Sequence, residues 1–307
     1  MKLRVASRAS ELAMAQAHFV ISLLKAKRQD IEFEIVNIST AGDQDRSVPL
    51  WKLEGVGFFT TQIEKALKDG VADIAVHSFK DLPTCEDREL AIAAVCDRRF
   101  VEDVLVAGVG VRSLSELKAG ARVGTSSMRR IAQIKRMRPD LETATIRGNV
   151  EGRIRKLDEG QYDAIVLARA GLERLGLGGR ISMAFNLLEF LPAPAQGALA
   201  VQVRAGDMRA KELVGMIDDP DARISATCER RVMEILEGGC HAPVGTYGRM
   251  SGEKFVITAC VSDLDGSGYI EDTFSGQTGE AMEIAERLAK SLLDRGAKKI
   301  LESIRTI

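Results

Sequence analysis

Along the first two thirds of the chain, short apolar runs alternate with segments whose apolar residues recur three and four positions apart. LRVAS (3–7) reads as a short buried strand. Behind it Leu12, Ala15, Phe19, Val20, Leu23 and Leu24 fall at helical spacing, and Ser10 stands where an N-cap belongs. The pattern then predicts a strand at 33–38, a helix at 60–70, a strand at 71–78 and another around 90–95. Further on, ARVGTS, LETATI and DAIVLA read as strands, with SMRRIAQIKRM and NVEGRIRKLDEG as the helices between them. Such alternation predicts parallel βαβ units with helices on both faces of a sheet. The segment 42–57 holds Gly, Asp and Pro with little period and is expected to be a long loop. LPAPAQGALAVQVR (191–204) sets two prolines ahead of an apolar strand. After about residue 216 the character becomes α+β. DARISATCERRVMEILEGG is a long helix stopped by two glycines. Strands at 244–249, 254–262 and 268–274 follow, the last two joined at Asp265-Gly266, and a helix of about 278–305, with Gly296 as a break point, closes the chain.

Composition narrows the class. A chain of 307 residues suits two or three domains, and 45% apolar with 28% charged residues is the balance of an ordinary soluble globular protein. A net charge of −1 argues against nucleic acid as the main partner. No apolar run approaches a membrane span, and Met1 leads directly into a strand-like segment without the apolar stretch of an export signal. Five cysteines (Cys85, Cys96, Cys228, Cys240, Cys260), an odd number, fit reduced thiols in the cytosol. With no CxxC and only three histidines (His18, His77, His241), a zinc site is not expected.

Three strand ends are unusually polar, and ligands of open parallel sheets sit at strand carboxyl ends. HSFKDLP (77–83) delivers His77, Lys80 and Asp81; a plain strand exit with a solvated Lys–Asp pair is an equally good reading of it. GTSSMRR (124–130) opens a helix with a glycine, three hydroxyls and two arginines. Helix amides and hydroxyls bind anions, and Arg129 and Arg130 would add bidentate recognition. The alternative is capping by Ser126 or Ser127 with both arginines in solvent, but arginines are poor partners for a helix N-terminus. IRGNVEGRIRKL (146–157) places Arg147 at a strand exit, Asn149 as a cap, and Arg153 and Arg155 on the helix; a solvated basic face is a fair reading of Arg155 and a weaker one of Arg147. Arg8 and Ser10 occupy one more strand-to-helix junction, while His18 reads as structural. Consecutive arginine-rich junctions point to a polyanionic ligand. In LEGGCHAPVG (236–245), two glycines put Cys240 on an accessible turn. A Cys–His pair needs contact that adjacent residues rarely make, so Cys240 reads as exposed and reactive with its role open. Cys85, Cys96, Cys228 and Cys260 read as small buried apolar residues.

Taken together and in order, VASRASELAMAQA, VHSFKDLPT, VGTSSMRR, IRGNVEGRIRKLDEGQYDAIVLARAGLERLGL, PAPAQGAL and LEGGCHAPVG resemble the porphobilinogen deaminase family over nearly the whole chain. The resemblance implies a transferase that condenses four porphobilinogen molecules head to tail into linear hydroxymethylbilane with loss of ammonia, in heme biosynthesis. It implies a dipyrromethane cofactor in thioether linkage to Cys240 and a catalytic role for Asp81, desolvated against pyrrole N–H groups. Cofactor and substrate carboxylates would be held by Arg8, Ser10, Lys80, Thr125, Ser127, Arg129, Arg130, Arg147, Arg153 and Arg174. The implied fold is α/β: two doubly wound domains like those of periplasmic binding proteins, with the active cleft between them, and a C-terminal α+β domain with a small antiparallel sheet. The expected boundaries are 1–98 with 198–216, 99–197, and 217–307. A cytoplasmic monomer is implied, with no nucleic acid, membrane or metal.

The sequence departs from the family's pattern at several points. Val56 replaces the lysine of a GKG segment, Thr61-Gln62 a Lys-Glu pair, Ala195 a common glycine, and Gln202-Val203 a Glu-Cys pair. Two other readings compete. A non-catalytic anion-binding module leaves LEGGC, Asp81 and the third domain without a task. A Cys–His hydrolase lacks a credible base.

Overall fold

The computed structural model describes residues 2–39, 60–84, 87–236 and 242–305; the expected loop at 42–57 with Val56, together with Cys85, Cys240 and His241, lies outside them. The chain divides into two compact units, Met1–Arg99 with Gly197–Arg223, and Phe100–Gln196 with Ile224–Ile307.

Unit 1 is built on β1 (Lys2–Ser7), β2 (Glu32–Asn37), β3 (Ile74–Ser78), β4 (Leu90–Cys96) and β10 (Leu199–Arg204), in the order β2-β1-β3-β10-β4. β1 pairs parallel with β2 and β3, and β10 runs antiparallel to β3 and β4. Helix α1 (Glu11–Lys27) begins at Ser10, whose hydroxyl accepts from the Ala13 amide, and carries Lys25 and Lys27 in its last turn where the helix dipole favours them. Its Val20, Ile21 and Leu24 pack on Leu3, Val5 and Val201, and α6 (Met208–Gly215) adds Leu213 and Val214 to the same face. On the opposite face α2 (Thr61–Lys68) buries Ile63 and Leu67 against Ala6, Ala75 and Leu90. Both faces of the sheet are covered, so its inner strands read as continuous apolar runs.

Unit 2 repeats this arrangement with β5 (Asp103–Ala107), β6 (Arg122–Gly124), β7 (Glu142–Ala144), β8 (Ala164–Ala168) and β9 (Met183–Ala184), ordered β7-β6-β8-β5-β9. Again three strands are parallel and an antiparallel neighbour follows, here β5. The helices are α3 (Met128–Met137), α4 (Val150–Asp158) and α5 (Arg169–Arg174). The sequence pattern points to parallel units alone, whereas both sheets are mixed. An apolar run marks a strand but carries nothing about its direction, and β9 is too short to leave a period.

A three-stranded antiparallel sheet completes unit 2: β11 (Val244–Ser251), β12 (Lys254–Ser262) and β13 (Tyr269–Gln277). It packs Phe255, Ile257 and Val261 against Val232 of α7 (Pro220–Ile235), Leu288 of α8 (Ala281–Asp294) and Leu301 of α9 (Ala297–Arg305). The expected closing helix is broken at Gly296, where φ is 103°. The Asp265-Gly266 turn also forms; a Cβ on Gly266 would stand 2.4 Å from the Arg136 amide nitrogen, so the turn lies directly on α3.

Two residues carry measurable consequences. Ala195, fully buried, has a φ of 59°, in the left-handed region that an L-residue enters at a cost of about 1–2 kcal/mol. This is the position at which the resemblance leads to the expectation of a glycine. Ala195→Gly is therefore expected to leave the melting temperature unchanged or higher, because relief of strain offsets the lost methyl. Ala132→Gly, inside α3 and equally buried, should lose at least about 1 kcal/mol. Equal losses at the two sites in thermal melts would show the 195 backbone to be unstrained.

His77 is 5% exposed on the α2 face, and burial pushes its imidazole down to about 4 although the Gln202 hydrogen bond acts the other way. A buried base held neutral contributes stability that is present above its unfolded value near 6.5 and lost as pH falls toward 4. Between pH 7 and 5 this loss should reach about 2 kcal/mol. Urea titrations at the two pH values check it: the difference should shrink by that amount in His77→Gln, and an unchanged difference would show that His77 titrates normally.

Candidate functional site

In unit 1 the adjacent parallel strands β1 and β3 bring two predicted clusters to one edge of the sheet. β1 ends at Ser7 and hands on Arg8, half-buried, and Ser10, which spends its hydroxyl on the α1 cap. β3 ends at Ser78, whose hydroxyl accepts from Gln16 Nε2 at 2.8 Å, and a single 3-10 turn, Phe79–Asp81, follows. Phe79 is buried and its amide donates to the Ala198 carbonyl at 3.0 Å, which anchors the turn to β10. Lys80 is half-buried and Asp81 exposed. His77 faces inward, and His18 lies exposed on α1.

In unit 2 the parallel strands β7, β6 and β8 end side by side and deliver the arginine-rich junctions to one edge. At the end of β6 only a glycine fits: a Cβ on Gly124 would meet the Tyr162 ring at 2.9 Å and Ile165 at 3.0 Å. Thr125 is buried and accepts from the Ser127 amide. Ser126 donates to the Ile146 carbonyl at 2.7 Å and accepts from its amide at 3.2 Å, tying the β6 exit to the chain leaving β7. Neither serine caps α3; Ser127 holds the N-cap position without a side-chain cap bond. At the β7 exit Asn149 caps α4 as expected, Arg153 Nε donates to the Gly148 carbonyl at 2.9 Å, and Lys156 donates to the Arg147 carbonyl at 3.0 Å. Arg147, Arg153 and Arg174, at the end of α5, are half-buried, and Arg155 is exposed.

Arg129 and Arg130 are not solvated; they are 4% and 7% exposed and share one internal anion, the fully buried Asp103. Arg129 Nη1 donates to Asp103 Oδ2 at 2.7 Å and to the Leu191 carbonyl at 2.7 Å. Arg130 donates to Asp103 Oδ1 from Nε at 3.0 Å and from Nη2 at 2.6 Å, and to the Val166 carbonyl from Nη1. Gln196 Nε2 adds a bond to Oδ1 at 3.0 Å. Burial opposes ionisation of Asp103, but the charges of the two arginines outweigh it and hold the carboxyl well below the usual carboxylate range. Burial pulls the Arg129 guanidinium down, and Asp103 works against that. Both hydrogen bonds of Arg129 leave from Nη1, whereas Arg130 commits all three nitrogens. Reading by motif misses Asp103 and Gln196. The one available signal is an acid at the head of the apolar run VLVA, a position that demands a partner.

The flanks of LEGGCHAPVG are knit together within unit 2. Glu229 on α7, fully buried, accepts from the Ala195 amide at 2.8 Å and from the Gly248 amide at 2.6 Å. The Thr246 amide donates to the Pro192 carbonyl at 2.9 Å, and a Cβ on Gly245 would stand 2.7 Å from Leu191 Cβ. The PAPAQ turn, the middle of α7 and the first half of β11 therefore lie in contact. Among the described residues the thiols Cys96, Cys228 and Cys260 are buried and form no disulfide. Burial raises Cys228 to about 12 and Cys260 to about 11, so neither forms a thiolate near neutral pH.

The donor set of unit 2 fits a carboxylate-bearing group such as a dipyrromethane. The Ser127 hydroxyl is unspent on capping, the first-turn amides of a ten-residue helix lie behind it, and Arg129 keeps Nε and Nη2 out of its internal bonds. No described helix is long and apolar enough to cross a membrane.

Comparison with known proteins agrees with this chemistry. Residues 3–212 match the family described as "Porphobilinogen deaminase, dipyromethane cofactor binding domain", and residues 223–294 match "Porphobilinogen deaminase, C-terminal domain". The porphobilinogen deaminase of Syntrophobacter fumaroxidans is 38% identical over 302 residues, covering 98% of this chain and 97% of that one. Among solved structures, the methionine binding protein MetQ is 14% identical with a TM-score of 0.44, over 70% of this chain and 88% of that one. The VFT2 domain of Bordetella pertussis BvgS is 17% identical with a TM-score of 0.41, over 70% and 86%. Full-length identity and the two family matches together establish that this chain belongs to the porphobilinogen deaminase family and carries its dipyrromethane cofactor binding domain.

Proposed function

We propose that this chain condenses four porphobilinogen molecules head to tail into linear hydroxymethylbilane, releasing ammonia at each addition, as a cytoplasmic monomer. The observation that carries this reading is the delivery of arginine-rich junctions by three consecutive parallel strands to one edge of the unit 2 sheet, in a chain 38% identical to a porphobilinogen deaminase over 302 residues. Each pyrrole unit brings an acetate and a propionate, so the ligand's negative charge grows with every step and calls for that many cationic partners. The domain division we favour is 1–98 with 198–216, 99–197, and 217–307. The net charge of −1 supports small-molecule rather than nucleic-acid binding.

A dipyrromethane in thioether linkage to Cys240 supplies the terminal pyrrole carbon onto which the product is built. Among the described residues, no thiol other than the three buried ones competes for that attachment. Asp81 stands on a turn fixed by buried Phe79, and its carboxylate accepts pyrrole N–H groups and stabilises the positive charge left when ammonia departs. A pyrrole laid against Asp81 desolvates its carboxylate and strengthens that interaction. Lys80, Arg8 and Ser10 hold carboxylates in unit 1. Thr125, Ser127, Arg129, Arg130, Arg147, Arg153 and Arg174 do so in unit 2. Arg130, with every nitrogen engaged, contributes chiefly by fixing Asp103 and through it Arg129.

Two measurements test the proposal. The intact mass of freshly purified protein should exceed the chain mass by one dipyrromethane, and Cys240→Ala should remove the excess; active protein of unmodified mass would overturn the reading. Asp81→Ala should keep the wild-type melting temperature, because the side chain is exposed, while kcat falls by about 10²-fold or more. Near-normal tetrapyrrole formation in that variant would remove Asp81 from the reaction.

A further inference from the structure

The face of unit 1 that packs on α2 contains a polar chain that the reaction does not use. His77 Nε2 lies 3.1 Å from Gln202 Oε1, and Gln202 Nε2 lies 3.3 Å from Glu64 Oε1 on α2. The Glu64 carboxylate only accepts, so the amide nitrogen of Gln202 must face it and the amide oxygen must face His77. That fixes the imidazole as the Nε2–H form by hydrogen-bond logic alone. His77 and Gln202 belong to neighbouring antiparallel strands, in register with Ala200 and Ala75, respectively, so they meet as diagonal neighbours on one face. Both are buried.

The position of this pair matters because β3 runs from His77 through Ser78 straight into the Phe79–Asp81 turn. Phe79 is tied to β10 by its amide, and Lys80 and Asp81 follow in the same 3-10 turn. Among the described residues, the charged groups turned toward this face from the elements around the pair are these. α2 brings Glu64. β10 brings Arg204, which donates to the Leu67 and Ala72 carbonyls and pairs with Asp73 and Asp207. β1 brings Arg4, paired with Asp73. β4 carries no ionisable side chain except Cys96, which lies in the opposite core.

We propose that Gln202 is a positioning residue for the Lys80–Asp81 turn: its neutral carboxamide spaces a buried, uncharged His77 from the Glu64 carboxylate and so keeps the strand end in one shape across the neutral and mildly acidic range. A carboxylate at 202 would place a negative charge beside the imidazole in a buried site and couple the strand end to pH.

The first test uses the unmodified protein and needs no activity. Nitrogen-15 NMR of labelled imidazoles should show His77 as the Nε2–H tautomer with no titration above pH 5.5. An Nδ1–H tautomer, or a midpoint near 6.5, would overturn the proposal. In Gln202→Glu the His77 midpoint should rise by about 2 pH units or more. Porphobilinogen consumption should match the parent below that midpoint and fall as pH rises through it, when the buried carboxylate loses its counter-charge beside Glu64. The loss should appear in kcat rather than KM. A variant whose His77 titrates at the raised midpoint while its rate profile superposes on the parent's would show that the pair does not position the turn. Should Gln202→Glu fail to fold, Gln202→Met decides: it keeps the volume, removes the acceptor, and should lower kcat about fivefold with no pH step; an unchanged kcat would overturn the proposal. The rate measurements rest on the proposed function, and a parent protein that consumes no porphobilinogen would count against that function while leaving the tautomer test standing.

Discussion

A fully buried carboxylate is tolerated only when the groups around it repay the lost hydration, and Asp103 is held by four hydrogen bonds from Arg129, Arg130 and Gln196. Much of unit 2 depends on that one ion cluster. Asp103 heads β5, the two arginines open α3, and Gln196 ends the PAPAQ turn, so one carboxylate ties a strand, a helix and a connecting segment to a single point. Without it two buried guanidinium groups would lose their counter-charge, an imbalance on the order of 3–5 kcal/mol. The same cluster settles how Arg129 stands. Tethered by Nη1 alone, it is fixed in place yet retains nitrogens for a ligand carboxylate.

The rest of the candidate site is a property of sheet edges. Parallel neighbours end at the same level, so residues far apart in sequence reach one edge without any contact between their motifs. Thr125 and Arg147 leave neighbouring strand ends because β6 and β7 are adjacent, and Arg8 follows β1 beside the β3 exit that carries Lys80 and Asp81. The hydroxyl of Ser126 then pins the β6 and β7 exits to each other. Small residues are obligatory where backbone and ring approach, as at Gly124 against Tyr162.

The division of labour among polar residues differs from what the motifs alone convey. Ser10 and Asn149 cap helices as their spacing predicts, while Ser126 and Ser127 do not, although their setting looks the same in sequence. The difference is local: Ser126 finds a strand partner at Ile146 that no nearby residue announces. Likewise the pair Arg129-Arg130 reads as two equivalent anion binders, yet their neighbours make them unequal. Glu229 gives no signal in a charged helical stretch, and it still holds two backbone amides on separate elements.

The sequence by itself determined the order of most strands and helices, the caps at Ser10 and Asn149, the turn at Asp265-Gly266, the break at Gly296 and the family, because these follow from local period, local turn chemistry and ordered motifs. It also marked Ala195 as unusual, and the left-handed backbone there supplies the reason. Only the tertiary structure decided the direction of β5 and β10, the internal partner of the two arginines, the inward burial of His77 against Gln202, and which strand ends share an edge. Each of these depends on contacts between residues tens of positions apart, and hydrophobic period carries no information about which distant group will satisfy a buried charge or hydrogen bond.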